Sequence, residues 1–363
     1  MGALSDREHP VVGAAALTDF CHRVFAAAGM PEADARLSAE SLVEADLRGV
    51  ESHGVVRLPI YAERLRRGAT AARPYIRIVR RTRSTAVVDG GNGMGQVVGA
   101  YAMRLAVELA REGEPAFVSV RNSNHFGAAA WFAELAVPHD LIGFAYTIGG
   151  INHMVPWGGA EAMLGNNPFA VAFPLRGEAP LVLDMACSVA ARGKIIVAAK
   201  EGVPIPEGWA VDRDGVPTTD AKKALEGFVT PVGGPKGYAL TLTIGLLSTM
   251  LSGAAFGTEV THMYEDFERP QNIGHLFGAL PIAAFEELDT YYARMAKAAR
   301  EVRGVRKAPG VDRISLPGER EARLADDRRR NGVPVPREVL DELAATGRAF
   351  GVALPPESVG SRR

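Results

Sequence analysis

Between positions 237 and 257 the chain carries no charged residue. A run of this length without charge needs surroundings other than water, either a bilayer or the inside of a folded core. The run holds Thr241, Thr243, Ser248, Thr249 and Ser252, with Gly245 and Gly253 among them, and no basic cluster flanks it. Those features argue against a membrane span. The spacing therefore predicts a helix buried on every side in the core of a globular protein.

A chain of 363 residues supplies such a core and suits two closely packed domains. Hydrophobic residues make up 47% and charged residues 23%, which places the chain among globular rather than disordered sequences. Lys plus Arg number 41 against 42 for Asp plus Glu, so no basic footprint for nucleic acid exists. The two cysteines, Cys21 and Cys187, are far apart, which excludes a disulfide framework and fits a reducing cytoplasm. Residues 1–12 have acids and Pro10 and no continuous apolar run, unlike a signal peptide.

Apolar spacing predicts a helix over 14–28, ended by Gly29, and a second opened by Pro31 and running to about 48. A third is expected from Ser52, or a few residues later, to Arg67, with Pro59 bending it or shifting its start. From about 75 the pattern changes to short apolar runs at 76–79, 85–88, 116–120, 141–147, 169–174 and 181–185, with a helix at 96–111. The tail returns to helix at 283–302 and 337–350, and the charged stretch 319–330 reads as a solvated helix. The expected class is α/β (α+β): a discontinuous helical domain of 1–74 plus 283–363, and an α/β domain of 75–282.

Four stretches carry candidate chemistry. Ser52-His53-Gly54-Val55-Val56-Arg57 places an imidazole four residues before a guanidinium, on one face if the segment is helical. A proton donor beside a carboxylate-binding fork is what reduction of a 2-oxo acid requires. Taken alone, the pair is better explained by a helix cap, a packed surface histidine and a salt-bridged arginine; the small or apolar Gly54, Val55 and Val56, and a Ser52 able to hold the imidazole in one tautomer, weaken that reading. Asn122-Ser123-Asn124-His125-Phe126-Gly127 brings a second histidine at a strand end, where either a site or a satisfied structural histidine is expected. Asp184-Met185-Ala186 ends an apolar strand with an acid suited to ribose hydroxyls or to a turn. Gly233-Gly234-Pro235-Lys236-Gly237 opens the long uncharged helix, where N–H groups and an ammonium suit an anion such as a pyrophosphate. The glycine turn at 89–95 imitates a dinucleotide fingerprint, but the third glycine position is Gln96, so a Rossmann reading fails.

The phrases SHGVVRLPIYAERLRRG, VRNSNHFGAAAWF, PWGGAEAMLGNNP, LVLDMACS, GGPKGYAL and SLPGERE occur in one order over about residues 12–352. In this the chain resembles the type-2 malate/L-lactate dehydrogenase family. The resemblance implies a non-Rossmann NAD(P)-binding fold, with a helical part from both chain ends packed on an α/β middle. It implies an oxidoreductase, using NAD or NADP, that moves a hydride between nicotinamide and a small 2-hydroxy/2-oxo acid or a cyclic 2-imino acid. By matching position His53 is the acid, Arg57 holds the carboxylate and Ser52 supports His53. His125 matches a position with a catalytic role in some members. Asp184, Met185, Ala186, Lys236, Gly237, Pro317, Gly318 and Glu319 match cofactor-contacting positions. A homodimer is implied, with no metal and no nucleic-acid or membrane partner. Substrate choice is expected in 147–153, where His153 and a doubled glycine depart from the family. The alternative is a metal-dependent hydrolase or lyase using His53, His125, His153 and an acid such as Asp184.

Overall fold

A computed structural model describes residues 9–357. The chain divides into two compact units, one running to Arg73 and resuming at Glu319, the other spanning Pro74–Gly318.

In the first unit, helices Ala14–Ala27 and Glu32–Leu47 bury Leu17, Phe20, Cys21, Val24, Phe25, Leu42 and Leu47. Gly29 and Gly49, at φ +96° and +75°, end them in the left-handed region that favours glycine. Val11–Val12 pairs antiparallel with Val333–Pro334, joining the two ends of the unit. Helices Glu319–Asn331 and Arg337–Ala349 complete it. The expected third helix is shorter than its pattern. Two 3-10 turns, Glu51–His53 and Val55–Arg57, precede an α-helix of Leu58–Arg66. Gly54, at φ −85° and ψ −147°, leaves helical geometry, and Pro59 sits in the first turn of the helix, where a missing N–H costs nothing.

The second unit is built on a seven-stranded sheet. Its order in space is Arg77–Arg81, Thr85–Asp89, Ala116–Ser123, Ile273–Pro281, Leu141–Thr147, Phe169–Phe173, Leu181–Met185. Only Thr85–Asp89 and Ala116–Ser123 run parallel, joined by helix Gly95–Ala110; all other pairings are antiparallel. This mixed sheet is α/β and is not a Rossmann arrangement. The core combines Val88, Val98, Met103, Leu109, Val118, Phe126, Phe132 and Phe277. A three-stranded sheet of Phe228–Val229, Ala210–Val211 and Pro217–Thr218 lies apart from it.

Two expectations are corrected here. Residues 283–318, assigned by their helical pattern to the terminal domain, belong to the α/β unit. Helix Leu288–Gly304 is held there by side chains: Tyr292 donates to Asp140, Tyr291 to the Pro174 carbonyl, and Arg303 pairs with Glu178 at 2.7 Å. The uncharged segment forms helix Pro235–Thr249, but it is not buried all round. Thr241, Ile244, Gly245, Ser248 and Thr249 face inward, while Leu240, Leu246 and Leu247 are exposed, as are Met250 (55%) and Leu251 (58%) just beyond. Burying the two threonines is tolerated because their hydroxyls find partners within the helix. Thr241 and Thr249 hydroxyls donate to the carbonyls four residues back, of Gly237 and Gly245. Among the described residues no helix is long and apolar enough to cross a membrane.

Gly143, in strand Leu141–Thr147, lies directly under the short helix Ala129–Ala133: a Cβ would fall 1.9 Å from the Ala133 carbonyl oxygen. Gly143→Ala is expected to lower unfolding free energy by about 1–3 kcal/mol, read from urea denaturation, because backbone rather than a flexible side chain must move.

Candidate active site

The turn that carries His53 and Arg57 is tied to itself. Ser52 Oγ and His53 Nδ1 share a hydrogen bond of 2.9 Å. Arg57 Nε donates to the Ser52 carbonyl at 2.7 Å. Hydrogen bonds from His53 N–H to the Val50 carbonyl and from Arg57 N–H to the Gly54 carbonyl close the two 3-10 turns. The structure thus brings Ser52, His53 and Arg57 together, by two turns rather than by one helix face. Burial, then the neighbouring Arg57 charge, pushes the His53 imidazole down to about 3. Burial also lowers Arg57, against the favourable influence of Tyr61.

Beneath this turn sits an acid that sequence reasoning missed. Asp46, 3% exposed, accepts the Val55 N–H at 2.8 Å. A Cβ at Gly54 would lie 1.9 Å from Asp46 Oδ1, so Gly54 leaves the space the carboxyl fills. Arg328 donates to the Asp46 carbonyl and pairs with Glu51 at 2.7 Å, so helix Glu319–Asn331 braces the same turn. The available signal was one acid on the buried side of an amphipathic helix, beside Leu42, Val43 and Leu47.

In the α/β unit, His125 is half-buried at the end of strand Ala116–Ser123. Its N–H points to Gln271 Oε1 at 3.4 Å, while Gln271 Nε2 donates to the Gly150 carbonyl at 3.1 Å. A Cβ on Gly150 would stand 3.4 Å from His125 Cδ2, so the segment expected to choose substrate lies against His125. His153 Nδ1 bonds the Ile151 carbonyl at 3.1 Å, and burial pushes its imidazole down to about 4.

The positions expected to meet a cofactor lie in the same unit, except Glu319, where the helical unit resumes. The Val182 N–H bonds the Pro317 carbonyl at 3.0 Å, and Gly318 (φ +83°) packs on Val182. This sets the 317–318 turn beside the strand that ends in Asp184 and Met185; Glu319 follows as the first residue of helix Glu319–Asn331. Asp184 is exposed and accepts the Ala130 N–H at 2.9 Å. Past half-buried Ala186, Cys187 exchanges backbone bonds with Asn166 and Val232, carrying the chain beside the Gly233–Gly234 turn. Lys236 is exposed, and Gly237 lies where a Cβ would meet the Val232 carbonyl oxygen at 1.7 Å. Asn167 faces inward instead, accepting from the Gly149 N–H and donating to the Thr241 carbonyl. The glycine turn is also self-contained: Asp89 accepts from the Gly91 N–H and from Asn122 Nδ2, both at 3.1 Å. A cavity of about 590 Å³, lined by Pro156, Trp157, Val211, Asp214, Thr230 and Gly234 among others, holds none of the catalytic candidates. Among the described residues no group of three or more His, Cys, Asp or Glu side chains is arranged to hold a metal ion.

Comparison with known proteins identifies the family of the chain. The family described as malate/L-lactate dehydrogenase matches residues 12–344. A malate dehydrogenase of Pyrococcus abyssi is 40% identical over 344 residues, 93% of this chain and 94% of its own. An L-sulfolactate dehydrogenase of Methanocaldococcus jannaschii is 41% identical over 315 residues, 87% of this chain and 90% of its own. The solved structure of the sulfolactate dehydrogenase from that organism superposes with a TM-score of 0.89 at 38% identity, covering 95% of this chain and 98% of that one. Relatives named for NAD(+) and for NADP(+) both occur. The chain belongs to the malate/L-lactate dehydrogenase family.

Burial pushes the Asp46 carboxyl up to about 8, against the pull of the Val55 N–H. Unfolded, the group ionises near pH 3.9, so between there and about pH 8 the folded chain keeps a proton that the unfolded chain has lost. Stability should fall as pH rises through that window. Asp46→Asn keeps an acceptor for Val55 and removes the titration. Its unfolding free energy should fall less than the parent's between pH 5 and 8, by at least about 1 kcal/mol in urea titrations.

Proposed function

We propose that this protein is an NAD- or NADP-dependent oxidoreductase that moves a hydride between nicotinamide and a small carboxylate. The substrate is a 2-hydroxy/2-oxo acid of the malate or lactate kind, or a cyclic 2-imino acid. The observation that carries this reading is the self-tied turn in which Ser52 engages His53 and Arg57 bonds the Ser52 carbonyl. A 2-oxo acid presents a planar carboxylate next to a carbonyl. The Arg57 fork grips the first, which fixes the face of the second. His53 gives a proton to the carbonyl oxygen in reduction and takes it from the hydroxyl in oxidation. Because Ser52 engages Nδ1, the exchange falls to Nε2.

The depressed basicity of His53 sets the resting state as neutral imidazole, a base suited to hydroxy-acid oxidation. A substrate carboxylate on Arg57 cancels the positive charge that opposes protonation. Loading an oxo acid therefore favours the imidazolium that reduction needs. His125 is a second proton-handling candidate.

The nicotinamide cofactor exchanges the hydride when bound. Asp184, Met185, Ala186, Lys236, Gly237, Pro317, Gly318 and Glu319 are the positions proposed to hold it. The fit rests on helix Pro235–Thr249, which begins at Gly234 (φ +64°) without a side-chain cap and beside the exposed Lys236. Its first-turn N–H groups and that ammonium suit a pyrophosphate. The exposed Asp184 carboxylate suits sugar hydroxyls.

The proposed assembly is a homodimer. The face formed by Leu240, Leu246, Leu247, Met250 and Leu251 is uncharged, contiguous along one helix and its exit, and able to pack on its own copy. The proposed compartment is the cytoplasm, where the buried thiols Cys21 and Cys187 stay unpaired.

A panel of 2-oxo, 2-hydroxy and cyclic imino acids, followed at the absorbance of reduced nicotinamide with NAD and NADP in turn, tests the reading. His53→Ala should lower kcat by about 100-fold or more with nicotinamide binding intact. Arg57→Ala should raise KM for the carboxylate about tenfold or more. Full activity in both variants would end the assignment. Replacing Leu246 and Leu247 together by Glu should yield a monomer in sedimentation velocity, and an unchanged dimer would exclude this face.

A further inference from the structure

His275 lies in strand Ile273–Pro281, fully buried, and takes no part in the chemistry proposed above. Its ring stacks on Phe126 with centroids 4.8 Å apart and planes 9° apart. Nδ1 bonds Thr147 Oγ1 at 2.7 Å, and Nε2 bonds Ser123 Oγ at 2.9 Å. Ser123 and Thr147 end the two strands that flank His275 on either side. Immediately beyond them the chain becomes Asn124-His125 on one side and Ile148-Gly149-Gly150 on the other.

We propose that His275 is a positioning residue, a buried imidazole bridge that holds the His125 loop and the 148–150 loop in one register for the substrate. The inference rests on the reading that these two loops meet the substrate.

The bridge is complete in either tautomer. If Nδ1 carries the proton, Ser123 donates to Nε2, and the Thr147 hydroxyl turns to the Gly274 carbonyl at 3.3 Å or that of Ile148 at 3.2 Å. If Nε2 carries it, Thr147 donates to Nδ1, and the Ser123 hydroxyl turns to the Asn124 carbonyl at 3.5 Å. Burial pushes the ring down to about 3, so it stays neutral and is a fixed strut rather than a proton store. Gln271, 1% exposed and four residues earlier, repeats the link nearer the site by joining the His125 N–H to the Gly150 carbonyl. A shift of one loop is therefore passed to the other along two parallel connections. Misplacement of reacting groups by about 1 Å is enough to lower turnover about 100-fold.

The test compares His275→Phe, which keeps the stack on Phe126 and loses both bonds, with His275→Gln, which restores a donor and an acceptor. Gln271→Met is made in parallel, at a smaller perturbation of the core. KM and kcat are measured for two oxo acids of different size, with nicotinamide binding by fluorescence and the His125 ring signals by NMR. His275→Phe, or Gln271→Met where the first does not fold, should raise KM about tenfold and change the kcat/KM ratio between the two acids at least about fivefold. Nicotinamide affinity should stay within about twofold, the His125 signals should shift, and His275→Gln should recover most of the loss. Unchanged KM and selectivity in the folded variants, or a loss that only tracks the fraction folded, would overturn the proposal. A parent enzyme that turns over no acid with either nicotinamide would instead overturn the proposed function, leaving the His125 signals alone to judge the bridge.

Discussion

The α/β unit depends on inserting strand Ile273–Pro281 between Ala116–Ser123 and Leu141–Thr147. Without it the two halves of the sheet share no ladder. The insertion demands a strand buried on both faces, and small residues where neighbours press in. A Cβ on Gly274 would meet the Ser248 carbonyl oxygen at 2.2 Å, and one on Gly278 the Phe117 ring at 2.5 Å. Two absent side chains thus let a helix and an aromatic ring close over the strand. Because the strand also carries His275 and follows Gln271, the strand of the sheet that comes last in the chain is the one that holds the candidate loops.

That strand was also the hardest element to read in the sequence. Its glycines, its histidine and its terminal proline break the apolar run, and burial on both sides erases the two-residue alternation that marks a half-exposed strand. Elements with one wet face were legible: helix Ala14–Ala27 and strands Leu141–Thr147 and Leu181–Met185 fall where their spacing puts them. Helix Pro235–Thr249 shows the converse failure. It is uncharged beyond Lys236, and its threonines and leucines do not say in sequence which side faces the core; the packing buries Thr241 and Thr249 and exposes Leu240, Leu246 and Leu247. The boundary at 283 was misplaced because helical character says nothing about which unit a helix docks on; Tyr291, Tyr292 and Arg303 decide that.

The candidate residues themselves were legible as a set of types, because Ser, His and Arg at short spacing limit the chemistry available. Their support was not. Asp46 and Gln271 act through backbone N–H and C=O groups, and a bond to the main chain leaves no trace in the partner's identity. The two supports also use different electrostatics. Asp46 is an acid whose burial opposes its own ionisation, whereas Gln271 and His275 link their partners without charge.

Residues 74–318 lie between the two segments of the helical unit as one uninterrupted stretch. Joining Val11–Val12 to Val333–Pro334 therefore closes a very long loop when the intervening unit is unfolded. Such a closure costs on the order of 5 kcal/mol in chain entropy beyond its constant part. Prior folding of the inserted unit replaces its stretch of the loop by one fixed span, which leaves about 75 free residues and lowers that cost by about 1 kcal/mol. During synthesis every strand of the seven-stranded sheet emerges before the second segment of the helical unit, so the helical unit is the one that must wait for its partner segment.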